Sequence, residues 1–129
     1  MNQKIIDVKG VTKSSAPISN VIQAGNFIYT AGQIPVDLKT GIPVKGTIEE
    51  KAKKTLENLK LVLEAAGAKL ADVVKITVFV SNLEYVSRFN KIYKTYFPNQ
   101  FPVRSCVQVS RLAYGVEFEV EAVAYVGKE

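Results

Sequence analysis

The sequence predicts an α+β fold: a mixed β-sheet with two helices packed on one of its faces. Two apolar patterns with helical spacing follow the cap-like signals T-x-x-E at Thr47 and S-x-x-E at Ser81. The stretches between and after them are short and rich in β-branched residues, as strands are. The resulting order of strands, helix, strand, helix and strands fits two layers around one core. A chain of 129 residues has room for one such domain, and residues 1–129 are read as that domain.

The elements follow in order. Val21 to Ala31 holds two short apolar runs around Gly25-Asn26, which predicts a hairpin. GQIPVDLKTGIPVKG, rich in Gly and Pro, reads as an irregular connection. Thr47 and Glu50 open the first helix, whose stripe of Ile48, Ala52, Leu56, Leu59, Leu63 and Ala66 ends at Gly67. Asp72 to Val80 reads as a largely buried strand. Ser81 and Glu84 form a second cap signal, and the helix after it carries Val86, Phe89, Ile92, Tyr93 and Tyr96 on one side until Pro98 stops it. The last two strands are expected at Val103–Val109 and Val116–Val126. Two helices cover one face only, so the other meets solvent or a further subunit, and an oligomer is the more economical expectation.

Composition narrows the chemistry. One cysteine makes no intramolecular disulfide, and neither a signal peptide nor a membrane-spanning run is visible, so a soluble cytoplasmic protein is expected. The net charge of +5 is spread out, and Glu49 with Lys53 and Glu50 with Lys54 stand at the spacing of helix-surface pairs. This pattern favours small anionic ligands over nucleic acid. With no histidine, there is no Ser-His or Cys-His pair and no His-ligated zinc, and no phosphate-loop motif appears. Catalysis would rest on Arg, Glu or Asp, Tyr, Ser or Thr, Lys, backbone groups and water.

The last two strands hold the candidates. Alternation places Arg104, Cys106 and Gln108 on one face, with Arg104 and Cys106 about 7 Å apart, and sets Glu117, Glu119 and Glu121 together on a face of the final strand. If those strands lie side by side, an arginine fork and a carboxylate reach one cleft. Arginine suits a carboxylate or phosphate held by two parallel hydrogen bonds, and a half-buried glutamate can position water or carry a proton. Plainer readings stand beside these: a cross-strand ion pair for Arg104, a small buried hydrophobe for Cys106, a wet strand face for the glutamates, and packing for Tyr93 and Tyr96.

FPVRSCVQVSRL followed by VEFEVEAVAY resembles the C-terminal signature of the Rid proteins, the reactive intermediate deaminases or YjgF family. AGQIPVD, LVLEAAGA, VVKITVFVSNL and FNKIYKTYF resemble further blocks of that family, so the likeness covers nearly the whole chain. It implies a chorismate-mutase-like fold, a homotrimer with ligand clefts between subunits, and hydrolysis of reactive enamines and imines without metal or cofactor. The implied substrates are 2-iminopropanoate and 2-iminobutanoate released by serine and threonine dehydratases, and the products are 2-oxo acids and ammonia. By the same resemblance Arg104 holds the substrate carboxylate and Glu119 positions water. Cys106 and Gly32 then contribute backbone, and Asn90 lines the cleft. Where the family carries a pocket tyrosine and serine, this chain has Ile18 and Ala31, and LAYG around Tyr114 replaces the usual L-P. Two other roles remain in view: a trimeric carboxylate-binding or regulatory module with little turnover, and the ribonuclease or translation-inhibitor role attached to some relatives. For the ribonuclease role, no acid-base pair suited to RNA cleavage and no basic-aromatic platform is visible.

Overall fold

The computed structural model describes residues 3–127 and consists of one six-stranded sheet with two helices on one face. The strands are β1 (Gln3–Ile5), β2 (Val21–Ala24), β3 (Phe27–Thr30), β4 (Val73–Val80), β5 (Val103–Gln108) and β6 (Phe118–Tyr125). The helices are α1 (Ile48–Ala65) and α2 (Val86–Tyr96). Their order across the sheet is β1-β2-β3-β6-β4-β5, antiparallel except for the parallel β4–β5 pair that α2 connects. β1 is a short exposed Gln-Lys-Ile segment without alternation, which leaves no strand signal in the sequence.

Local chemistry accounts for most boundaries. In the β2–β3 hairpin Ala24 faces Phe27 across Gly25-Asn26, and Gly25 takes the left-handed φ of 60° that a two-residue turn requires at its first position. At the start of α1, Thr47 Oγ1 accepts from Glu50 N at 3.1 Å while Glu50 Oε1 accepts from Thr47 N at 3.0 Å. α1 ends in a Schellman arrangement, with Ala68 N donating to Leu63 O and Gly67 N to Glu64 O, both at 3.0 Å. The anticipated stripe is buried at Ala52, Leu56, Leu59 and Leu63, which pack on Ile28, Ile76, Val78, Val80 and Val120. Each large aliphatic side chain buried this way contributes roughly 1.5–3 kcal/mol.

Two expectations are corrected. Ser81 does not cap α2, because its N–H donates to Glu117 O at 3.0 Å and stays with the sheet. Asn82 caps instead, accepting from Glu84 N at 2.9 Å, and a 3₁₀ turn over Leu83–Tyr85 leads into the helix. Nor do Glu49 and Glu50 pair with Lys53 and Lys54. Glu50 is taken by the cap, and Glu49 receives two 2.7 Å hydrogen bonds from Arg88 of α2, which hold its carboxyl down to about 2. That pair is largely exposed and joins the two helices without adding much stability.

Away from the helices, the sheet shows Phe27, Tyr29, Val103, Val107 and Tyr125 as exposed apolar side chains. The uncovered face expected from the element count is therefore present, and apolar side chains stand exposed on it.

Candidate functional site

The register fixes which candidates can meet. In β4, Ile76 lies beside Arg104 of β5 and Ala122 of β6, and Val78 lies beside Cys106 and Val120. Ile76 and Val78 are core residues, so Arg104 and Cys106 stand on the face that the helices cover. Phe79 lies beside Val107 and Glu119, and Thr77 beside Ser105 and Glu121, so Glu119 and Glu121 stand on the uncovered face. β5 and β6 are not neighbours, because β4 runs between them. The single cleft shared by Arg104 and Glu119 that side-by-side strands would give is thus not formed within the chain. A final strand inserted at the centre of a sheet leaves no local mark in the sequence.

Arg104 reaches a cleft of ≈ 250 Å³ lined by Asn90, Tyr93 and Lys94 of α2 together with Phe101 and Pro102. Its guanidinium carbon lies 4.8 Å from the centre of the Tyr93 ring. Tyr93 is 4% exposed and packs among Phe89, Phe97 and Phe101 at ring separations of 5.8, 4.7 and 6.5 Å. Among the described residues Arg104 forms no ion pair, so the cross-strand pair with a glutamate is not made. Asn90 Oδ1 and Tyr93 Oη are buried without hydrogen-bond partners at the same place. Burial pushes the Tyr93 phenol up, with Arg104 pulling the other way, and it pushes the Cys106 thiol up against the same arginine. Cys106 is a half-buried thiol, and it packs against the core as a small hydrophobe would. β5 is an edge strand, so its outer main-chain groups have no sheet partner among the described residues.

The second set gathers on the opposite face. After β3 the chain returns to β6 as a bridge, with Gln33 N donating to Val120 O at 2.7 Å and Val120 N to Gln33 O at 2.9 Å. This lays Gly32 against Glu119. A methyl group on Gly32 would overlap the carboxylate and come within 2.9 Å of Glu119 Cγ. Burial raises the Glu119 carboxyl, and the like charge of Glu121 raises it further. Ala31 is held by its N–H to Asn20 O at 2.8 Å. Gly32, Asn20 and Tyr114 border one hollow of ≈ 370 Å³, and Ile18, 60% exposed, borders an adjoining one that shares Asn20. Tyr114 carries a left-handed φ of 59°, uncommon for a bulky side chain, and is 76% exposed.

Of the anticipated site residues, Arg104, Cys106 and Asn90 come together on the helix side, and Gly32, Ala31 and Glu119 on the other. Tyr93 was read as packing, yet it is both packing and the floor beneath Arg104. The signal was present in its three-residue spacing from Asn90, which puts both on one helix face. Glu117 leaves the wet strand face altogether and pairs with Lys51 of α1 at 2.9 Å.

Comparison with known proteins shows the family and the fold. Residues 10–126 match the family model described as Endoribonuclease L-PSP. A RutC family protein of Pyrococcus abyssi is 46% identical over 125 residues, covering 97% of this chain and 98% of that protein. The 2-iminobutanoate/2-iminopropanoate deaminase of Salmonella typhimurium is 40% identical over 124 residues, covering 94% and 96%. The crystal structure of Escherichia coli TdcF with bound serine superposes with a TM-score of 0.89 at 35% identity, covering 96% of this chain and 99% of that one. With the fold, the signature strands and near-complete coverage in agreement, this chain belongs to the Rid/YjgF family, whose sequence model carries the name Endoribonuclease L-PSP.

Proposed function

We propose that the protein hydrolyses small 2-imino acids and their enamine forms, of the 2-iminopropanoate and 2-iminobutanoate type, to 2-oxo acids and ammonia. The carrying observation is Arg104, a half-buried guanidinium in a mostly apolar cleft without a carboxylate partner among the described residues. Such a cation favours an anion from outside, and its planar fork matches a carboxylate. Two relatives that bear the deaminase name share 40% identity with this chain over nearly its full length, which supports the same chemistry here.

The reading requires a second protomer. Arg104 and Glu119 occupy opposite faces, so a substrate held by one reaches the other only where the helix-side edge of one protomer meets the uncovered face of its neighbour. The apolar side chains on that face support such packing, and a closed ring of three copies repeats the contact without loose ends. In that cleft Arg104 fixes the carboxylate and presents the C=N carbon. Glu119 takes a proton from a water as its oxygen adds to that carbon and returns it to the nitrogen, giving a carbinolamine. The hydroxyl proton then passes through Glu119 to the amino nitrogen as the C–N bond breaks, so ammonia leaves, the carbinol oxygen becomes the 2-oxo group and Glu119 is again a carboxylate. Gly32 and Cys106 contribute main-chain groups, and Asn90 borders the nitrogen side. The substrate is already electrophilic, so positioning supplies most of what is needed. Dehydratases acting on serine and threonine are the matching source of such imines.

A second reading, a carboxylate-binding module with little turnover, is favoured by one observation: positions 18 and 31 bear Ile and Ala, and neither brings a hydroxyl to the glutamate side. The deciding experiment is a coupled assay in which a threonine dehydratase generates the imine and semicarbazide traps what survives. The protein should lower the trapped product and Arg104→Ala should not. Unchanged trapping with 2-oxobutyrate still bound through Arg104 would establish the binding module instead.

A further inference from the structure

We infer that Tyr93 is the positioning residue for Arg104, its ring holding the guanidinium in place while the N–H fork stays open to a carboxylate; this rests on reading Arg104 as the substrate anchor. Arg104 lies on the edge strand, with β4 on one side only, and has a long side chain with many rotamers. It has no ion-pair partner among the described residues, so no carboxylate fixes it. What it has is the Tyr93 ring, 4.8 Å below the guanidinium carbon.

Tyr93 suits this task because it is itself immobile. It sits in the middle of α2, 4% exposed, with Phe97 at 4.7 Å, Phe89 at 5.8 Å and Phe101 at 6.5 Å. A rigid ring attracts the cation through its face, and guanidinium donors lie in the guanidinium plane, so stacking leaves them free. A carboxylate in the same place would occupy the fork and cancel the charge, and a substrate would have to displace it. The aromatic platform holds the cation without neutralising it. Burial keeps the phenol in its neutral form, so Tyr93 does not become a competing anion. The contact that carries the inference is the ring face, 4.8 Å from the guanidinium carbon, and Tyr93→Phe separates it from any part the hydroxyl plays.

The test begins without ligand. Relaxation of the Arg104 Nε–H group in the labelled full-length chain should give an order parameter of about 0.8 in wild type and Tyr93→Phe, and below about 0.6 in Tyr93→Leu. Calorimetry with 2-oxobutyrate should then show Tyr93→Phe within about twofold of wild type and Tyr93→Leu about tenfold weaker. In an Arg104→Ala background Tyr93→Leu should add nothing. If Tyr93→Leu does not fold, Tyr93→Met carries the same comparison. A mobile fork in wild type, equal behaviour of Phe and Leu, or a Leu effect that persists without Arg104 each overturns the inference. Arg104 ordered through Tyr93 in a protein that neither binds 2-oxobutyrate nor turns over imine would leave the inference standing and remove the proposed function.

Discussion

Arg104 and Glu119 point to opposite faces of the same sheet, with β4 between their strands. One chain therefore presents the proposed anion anchor and the proposed proton acceptor at two different places. Variants Arg104→Ala and Glu119→Gln should each lose at least a hundredfold in kcat/KM as pure oligomers. Unfolded together and refolded as a mixture, they should recover about a quarter of wild-type activity, because half the anchors are intact and half of those meet an intact glutamate. A mixture as inactive as its parents would mean that the two residues do not share a site.

Gly32 is close to Glu119 for a steric reason, since its backbone is not in the left-handed region and alanine is acceptable there on conformational grounds. Gly32→Ala should therefore displace the carboxylate, lowering kcat at least tenfold while Tm changes by only a few degrees. A variant with normal kcat would show that the Glu119 side chain tolerates a different rotamer.

The raised Glu119 carboxyl has two consequences for pH. Activity should fall on the acid side with a midpoint above the ordinary 4.5, and Glu119→Gln should lack that limb. For stability, the folded protein keeps a proton that the unfolded chain has already released, so stability falls as pH rises from the ordinary carboxylate value through the raised one. Glu119→Gln removes this loss. Its Tm relative to wild type should rise between acidic and neutral pH, and a difference that shrinks over that interval would contradict the assignment.

Asn58, 2% exposed on α1, donates 2.9 Å hydrogen bonds to both Ile34 O and Val36 O and so anchors the connection that carries Gly32. Asn58→Ala strands two carbonyls and should cost roughly 2–4 kcal/mol by urea denaturation. Activity should suffer beyond what the unfolded fraction explains, because the bridge between Gln33 and Val120 loosens with the segment.

The sequence made the helices legible because each carries its own instructions: Thr47 with Glu50 at one end of α1, Gly67 at the other, and an apolar stripe between them. The alternation in β5 and β6 grouped Arg104 with Cys106 and Glu119 with Glu121 as the strands do, but it did not say which face of the sheet each group takes. What it did not reveal was the order of strands. Side-by-side placement of β5 and β6 is the natural expectation for consecutive strands, and only the tertiary pairing of β6 with both β3 and β4 overrides it. The cap at Asn82 was missed for a related reason, since Ser81 is recruited by Glu117, a residue 36 positions away that no local pattern announces. The floor under Arg104 was visible as spacing but not as contact.

The central place of β6 also governs how the chain becomes a protein. It is the last strand in chain order, and it joins β1-β2-β3 on one side to β4-β5 on the other. Until it arrives, both halves present open edges and the apolar side of α1 has no completed sheet to rest on. Closure must therefore be late, long-range and slow compared with helix formation, and the waiting edges of β3 and β4 are where misassembly begins. A nascent chain lacking β6 is two unfinished fragments, so a chaperone or a protease should meet this protein at that stage.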